Sequence, residues 1–310
     1  MKFSIVSTTY NSNVTIHEFV KRMNEVLVVM QEKYEIIIVD DGSGDGTIET
    51  LKTLVIEYPN LKVLALSRNF GQHSAIMEGL RAARGKLTFL LDSDLEESPE
   101  LFHEFYKVFQ RNNLDVIYGI DNYLNRPIVN RILSKSFWKV FKYMSGLNIP
   151  TGICTVRLMS KRYVDALLKH NETKLFLAGL WQITGFKQSS FPINKGYKGS
   201  SSYSLMRKLN LAVESIVSFS EKPPRALIYF GTICAIMSLV LMTLLVLPSI
   251  LLGSELSSLK VLVLSNFLFW SLLVLFSGLI LLYMSIILQE VKSRPHAIVL
   301  EEYTIEKLKE

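Results

Sequence analysis

Two long stretches of this chain carry no charged residue, Ala226 to Ser254 and Val261 to Gln289. About 20 apolar residues cross the hydrocarbon core of a bilayer, and each stretch exceeds that. Core helices of soluble proteins rarely run so long without a charge. Only Glu255 to Lys260 separates the two, too little chain for a domain. The pattern predicts a transmembrane hairpin over 226–289, with spans at about 226–252 and 264–288. Arg207, Lys208, Lys222 and Arg225 precede it, Lys292 and Arg294 follow it, and the connecting turn carries Lys260. The positive-inside rule then puts both ends in the cytoplasm. Met1 to Thr9 is too short in apolar content for a signal peptide. The expected organisation is a cytoplasmic domain over 1–203, a juxtamembrane amphipathic helix over 204–225, the hairpin, and a cytoplasmic tail over 290–310. In the juxtamembrane segment Leu205, Leu209, Ala212, Val213 and Ile216 recur at helical spacing, as in a helix lying on the inner leaflet. Glu301 to Glu310 mixes charge signs and reads as a solvated helix or a disordered end.

Outside the apolar runs the chain is that of a globular protein. Of 310 residues, 49% are hydrophobic and 20% charged, which excludes a disordered chain. Cys154 and Cys234 are the two cysteines, so neither a disulfide scaffold nor a cysteine-based zinc site is available. The net charge of +6 comes with no nucleic-acid motif and reads as attraction to a membrane surface.

Strands and helices alternate through the first 120 residues. Phe3 to Thr8, Tyr34 to Val39, Leu61 to Leu66, Leu87 to Leu91 and Asp115 to Tyr118 read as strands, several of them apolar on both faces. Val14 to Gln31, Thr47 to Glu57, Ser74 to Ala83 and Pro99 to Arg111 read as helices. This alternation predicts an α/β domain with a mainly parallel sheet.

Ligands of such sheets bind beyond the carboxyl ends of the strands. Four of those ends carry polar or acidic clusters: Thr8 to Asn11, Asp40 to Gly46, Ser67 to Gly71, and Asp92 to Glu96. No Gly-x-Gly-x-x-Gly follows the first strand, and no phosphate-binding loop with Lys-Ser or Lys-Thr is present, which speaks against hydride transfer and P-loop hydrolysis. Gly42, Gly44 and Gly46 come with Asp40, Asp41 and Asp45, which would repel a pyrophosphate. Asp92 and Asp94 are one residue apart after an apolar strand. In an extended segment they would point the same way, with Glu96 a step further. Such carboxylates suit a hard cation, Mg²⁺ or Mn²⁺, shared with the phosphates of a substrate.

These residues carry a family resemblance. Thr8-Thr9-Tyr10-Asn11, Ile37-Ile38-Val39-Asp40-Asp41-Gly42-Ser43, Ser67-Arg68-Asn69-Phe70-Gly71-Gln72-His73-Ser74-Ala75-Ile76 and Leu91-Asp92-Ser93-Asp94-Leu95-Glu96 resemble the family 2 glycosyltransferases of the GT-A (Rossmann-like) fold. More narrowly the chain is similar to the polyprenyl-phosphate glycosyltransferases: dolichol-phosphate mannose synthases, bactoprenol glucosyl transferases and the undecaprenyl-phosphate formamido-arabinose enzyme. The resemblance runs on through Arg157 to Arg162, Gly199 to Tyr203, Ser218 to Arg225 and Glu290 to Pro295, nearly the whole chain.

The resemblance implies an inverting, metal-dependent enzyme of the bacterial inner membrane. It would move one sugar, glucose or a related hexose, from UDP to undecaprenyl phosphate on the cytoplasmic leaflet, for O-antigen or other lipopolysaccharide and envelope glycans. Uracil and ribose would lie against Thr8, Tyr10 and Asp41, with Asp92 also in the nucleotide-sugar site. Asp92, Asp94 and Glu96 would hold Mg²⁺ or Mn²⁺ and the diphosphate, Glu96 standing where the family usually has Gln. Arg131 and Ser134 match a pair that receives the lipid phosphate, and Lys195 and Lys198 fall in a basic loop near it. Asp94 and Arg131 would be the catalytic residues. Family precedent allows a homotetramer, and no nucleic acid is expected as a partner.

One departure bears on the chemistry. Where the family commonly has an aspartate proposed as catalytic base, this chain has Thr155, in Cys154-Thr155-Val156-Arg157-Leu158-Met159. Threonine is no base at neutral pH. A phosphate monoester, however, has a second pKa near ~6 and is already largely dianionic at pH 7. Such a nucleophile needs positioning rather than deprotonation. The alternatives are transfer of a formamido-arabinose-like sugar, and a membrane scaffold that binds nucleotide sugar without turnover. A processive polysaccharide synthase would carry Gln-x-x-Arg-Trp, which Gln182 to Phe186 does not match. His73 reads as a helix-start residue, and Cys154 as a packing residue. Trp138, Phe141 and Tyr143 read as a helix core or a lipid entrance, and Trp181 and Gln182 as sugar contacts or filling of the domain's base.

Overall fold

The computed structural model of the chain describes residues 1–121, 152–170, 175–193, 258–291 and 295–308, with positions 139, 142, 143, 149, 150 and 240. Among these residues eight strands form one sheet: β1 (Phe3–Thr9), β2 (Tyr34–Asp40), β3 (Leu61–Leu66), β4 (Leu87–Leu90), β5 (Val116–Asp121), β6 (Ile153–Ser160), β7 (Gln188–Ile193) and β8 (Val299–Tyr303). Their order is β7-β5-β6-β4-β1-β2-β3-β8. The helices are α1 (Ile16–Val28), α2 (Thr47–Glu57), α3 (Gln72–Ala82), α4 (Leu101–Asn112), α5 (Lys161–Leu167), α6 (Leu177–Ile183) and α7 (Ser258–Val291).

The central block β4-β1-β2-β3 is parallel throughout. All seven residues of β1 are buried, as a strand covered on both faces requires. Alternation then sorts side chains between two helical layers. Phe3 and Ile5 of β1 and Ile36 and Ile38 of β2 join α1, α2 and α4 in one core. Val6, Ile37 and Val39 join α3, α5 and α6 in the other. In α1 the buried residues are Ile16, Phe19, Val20, Met23, Val26 and Leu27, the one-face spacing of an amphipathic helix. In α4 Phe102, Phe105 and Phe109 do the same. Phe102 meets Phe3 and Phe89 edge to face at 5.1 and 5.3 Å between ring centroids. Each such ring stabilises the fold by roughly 1.5–3 kcal/mol on burial. Gly79 lets α3 sit tightly on the sheet: a Cβ there would come within 2.5 Å of Val6 Cγ1.

The expected α/β domain with a mainly parallel sheet is therefore observed, with its first five strands and four helices where the periodicity puts them, to within a few residues. Two strands reverse direction. β6 runs antiparallel to β4 and β5, and β8 runs antiparallel to β3.

β8 corrects the reading of the C-terminal segment as a solvated helix or disordered end. Residues 299–303 pair with 63–66, and Ser67 N–H donates to Ile298 O at 2.9 Å. Lys62 pairs with Glu302 at 2.9 Å, Lys52 lies 4.7 Å from the centre of the Tyr303 ring, and Ala297 is buried in the core. The mixed charges are the signature of an edge strand, whose outer side faces water.

The juxtamembrane segment 204–225 and, but for Val240, the first expected span lie outside the described residues. α7 runs over 34 residues, or about 51 Å at 1.5 Å per residue. Counting only residues whose side chains are described, no helix is long and apolar enough to cross a membrane.

Candidate active site

The carboxyl ends of β1 to β4 meet along one rim of the sheet, and their loops are tied to one another by side chains. After β1, Asn11 N–H donates to Ser43 Oγ at 2.9 Å, and Gly44 N–H returns a bond to Asn11 Oδ1 at 3.0 Å. Asn13 N–H donates to Asp45 at 3.2 Å. Asp45 also accepts from the Thr47 hydroxyl, which holds its carboxyl below the usual range. Asn11 takes the left-handed conformation this turn needs, φ +51°.

Asp41 joins the second loop to the third. Its two carboxylate oxygens accept from Phe70 N–H at 2.7 Å and Gly71 N–H at 2.9 Å. Burial raises its pKa, and the two amides oppose that rise. Gly42 makes the approach possible. Its φ is +73°, and a Cβ there would meet Arg68 C at 2.6 Å and Asn69 N at 2.7 Å. Asp40 points to the other face of β2. It is buried and accepts from Ser43 N–H at 3.1 Å, while Oδ1 has no partner. Burial raises its pKa as well. Beside it in register, Thr9 Oγ1 is likewise buried without a partner.

The acidic loop after β4 is fixed from two sides. Ser93 Oγ donates to Thr8 O at 2.9 Å, and Gln72 Nε2, at the first turn of α3, donates to Asp92 Oδ1 at 2.9 Å. The loop turns at Ser93-Asp94, Leu95 has φ +61°, and Glu96 N–H donates to Asp94 Oδ1 at 3.0 Å. The extended geometry expected for Asp92, Asp94 and Glu96 is therefore absent. Among the described residues, no three His, Cys, Asp or Glu side chains come together as a metal cluster. The donor set still fits a hard cation: carboxylates on one short loop, to which phosphate oxygens would add the missing ligands. Thr8 is buried and Tyr10 half exposed at the end of β1, on the same rim.

β6 reaches this rim with its amino end. Leu90 of β4 pairs with Arg157, so Asp92 and Thr155 stand two residues further along the two chains. Thr155 is partly exposed there. Cys154 is buried in the core, as its reading as a packing residue expects. Trp181 is buried too. His73, in the first turn of α3, shares a 2.8 Å hydrogen bond between Nδ1 and Leu175 O. Arg131, Ser134, Lys195 and Lys198 lie outside the described residues, as do Trp138 and Phe141. A cavity of about 890 Å³ opens at the opposite, amino end of the strands, lined by Lys2, Glu32, Lys33, Lys86, Tyr106 and Phe109 among others. The interlocked polar loops lie at the carboxyl rim, not there.

Sequence reasoning missed Gln72 and Ser93, which brace the acidic loop, and the buried Arg157 on the strand beside it. All three lie inside quoted motifs. Arg157 gave a signal of its own: a charged residue within an apolar strand pattern.

The family model for glycosyl transferase family 2 matches residues 4–168, which spans β1 through α5 and the whole rim. The chain belongs to glycosyl transferase family 2. A Mycobacterium tuberculosis (strain CDC 1551 / Oshkosh) relative, named among the glycosyltransferases, is 34% identical over 98% of this chain and 89% of its own. The undecaprenyl-phosphate 4-deoxy-4-formamido-L-arabinose transferase of Yersinia enterocolitica is 29% identical over 95% of this chain and 91% of its own. Among solved structures, mannosyl-3-phosphoglycerate synthase from Rubrobacter xylanophilus covers 75% of both chains at 15% identity, with a TM-score of 0.47.

Proposed function

We propose that this family 2 glycosyltransferase moves one sugar from a uridine diphosphate to undecaprenyl phosphate at the cytoplasmic face of a bacterial inner membrane. The observation that carries the reading is the acidic loop after β4, held by Ser93 against β1 and by Gln72 against α3. That bracing sets Asp92 and Asp94 before substrate arrives, so little ordering remains when it binds. The name of the Yersinia relative supports the acceptor and puts a 4-formamido-pentose beside glucose among the candidate sugars.

In this mechanism Thr8, Tyr10 and the Asp41 loop receive the nucleoside. A divalent cation held by Asp92 and Asp94 would neutralise charge growing on the leaving diphosphate. Arg131, Ser134 and the loop of Lys195 and Lys198 would hold the acceptor phosphate by charge-assisted hydrogen bonds. The phosphate oxygen attacks the anomeric carbon from the face opposite the diphosphate, so the configuration inverts. Thr155 need not remove a proton, because the attacking phosphate monoester is already largely dianionic at pH 7.

The membrane hairpin rests on the two uncharged runs. Leu262, Phe269, Trp270, Ile280, Leu281 and Met284 of α7 are all exposed, and such a surface calls for an apolar surrounding. The test is lipid-extractable label. Membranes holding the protein are incubated with undecaprenyl phosphate, Mg²⁺ and a panel of labelled UDP-sugars. Label should enter the organic phase with one sugar and vanish in Asp94→Asn. Measurable UDP binding without transfer from any sugar would instead favour the scaffold reading.

A further inference from the structure

Among the described residues Arg157 is the largest side chain that is fully buried. It sits on β6, on the face covered by α3, α5 and α6, where Met159 joins the apolar core. Its guanidinium lies over the Trp181 ring. Nε donates to Thr155 O and Nη2 to Cys154 O, both at 3.0 Å, and Nη1 has no partner. Burial pushes the guanidinium down to about 9, so it stays charged at neutral pH. None of these hydrogen-bond partners is an anion. A core chosen for stability alone would place an apolar side chain here, because a buried charge without an ion partner is destabilising.

The neighbouring strand β4 leads into a carboxylate at the rim. Arg157 pairs with Leu90, and Asp92 follows two residues later, bound to Gln72 at the start of α3. Leu90 and α3 share the core face on which Arg157 lies, and Tyr163, Cys154, Tyr118 and, last, Asp92 favour the charged guanidinium. Asp40, Asp41, Asp45, Asp94 and Glu96 line the same end of the sheet. A dianionic diphosphate approaching that rim meets a strongly negative field.

We infer that Arg157 is a positioning residue of the donor site: a buried, fixed positive charge that holds Asp92 on the α3 side and offsets the acidic rim for a nucleoside diphosphate. Trp181 keeps the guanidinium in place by stacking. The inference rests on the reading of the rim as a nucleoside-diphosphate site. It makes two affinities part company. Loss of the cation weakens an anion's binding but leaves a metal cation's binding equal or tighter. A merely structural role would weaken both together.

The full-length protein in detergent is titrated with UDP in the presence of Mn²⁺, and separately with Mn²⁺ alone. Arg157→Met should bind UDP at least tenfold more weakly, hold Mn²⁺ no more weakly than the native protein, and melt at an equal or higher temperature. Arg157→Lys should stay within about threefold of native UDP affinity, since it keeps a cation on the same strand. In an Asp92→Asn background, Arg157→Met should add less than a further threefold loss, because the two act as a unit. Native UDP affinity in Arg157→Met, or UDP and Mn²⁺ affinity falling together with the melting temperature, would overturn the inference. So would failure of both Arg157 variants to fold, which would make the residue a structural one. Absence of UDP binding by the native protein would overturn the donor-site reading, and the inference with it.

Discussion

Two kinds of strand meet at the rim, and they bring different things to it. β1 to β4 are parallel, follow one another in sequence, and arrive with their carboxyl ends. Their loops carry Thr8, Asp41, Asp92 and Asp94, cross-tied by Asn11, Ser43, Gln72 and Ser93. β6 and β8 run the other way and arrive with their amino ends. β6 brings Thr155 and the buried Arg157, and β8 brings the chain back from α7. In the proposed reading the parallel block builds the binding surface. The reversed strands carry the buried Arg157 and close the sheet's edge.

Breaking the parallel half should have the largest effect. Asp94→Asn removes one of the paired carboxylates while leaving the backbone turn at Leu95 in place. Turnover should fall by about 10²–10³-fold, as when one preorganised electrostatic group is lost, with little change in melting temperature. A tenfold loss or less, measured by transfer of label, would move the metal off this loop.

Deleting residues 295–310 tests the reversed half. It removes β8, takes Ala297, Tyr303 and Leu308 from the cores they pack on, and opens the edge of β3 to other chains. The folded state should lose roughly 3 kcal/mol, the burial of one or two large side chains. Thermal melting and light scattering read the loss and the aggregation that follows. An unchanged melting temperature would mean that β8 adds nothing to the sheet.

Thr155→Asp sharpens the contrast between the two strand types. If the acceptor phosphate needs no base, the new carboxylate should change turnover by less than about tenfold, or 1.4 kcal/mol. It should also weaken UDP binding slightly, because it adds a negative charge beside Asp92. A hundredfold gain would show that β6 lacks a needed base.

The smallest effect belongs to Asp40→Asn. Burial raises the Asp40 carboxyl, so the ionised form destabilises the fold above that raised pKa and protonation relieves it below. Asparagine still accepts from Ser43 N–H and adds a donor beside the unpartnered Thr9 hydroxyl. The variant should gain about 1 kcal/mol at neutral pH, the usual worth of one hydrogen bond. The gain should shrink as pH falls through the raised carboxyl pKa. A loss of stability at pH 7 would mean that the orphaned oxygen has a use.

The same division explains what the sequence made legible. Strands such as Tyr34–Asp40 announce themselves as apolar runs, and the rule that ligands sit beyond carboxyl ends leads straight to Asp41, Asp92 and Asp94. For a reversed strand that rule points to the wrong end. Thr155 sits near the start of β6, and only the family resemblance singled it out. Arg157 breaks the apolar pattern that marks a buried strand, so Ile153–Ser160 is hard to recognise from periodicity. Val299–Tyr303 carries Glu301 and Glu302 on an edge whose partner is over 230 residues earlier in the chain, a pairing no local window contains. The Asp92-x-Asp94 spacing misled in another way. Alternation holds only for extended chain, and here the chain turns at Ser93-Asp94.

The most direct test of the rim as the donor site is amide hydrogen exchange on the full-length protein with and without UDP and Mn²⁺. Slowed exchange should appear in the loops after β1, β2, β3 and β4 and at the start of β6, around Thr155. The amino-end cavity of Lys2, Lys33, Lys86 and Tyr106 should stay unchanged. Protection confined to that cavity, or none at the acidic loop of Asp92 and Asp94, would contradict the account.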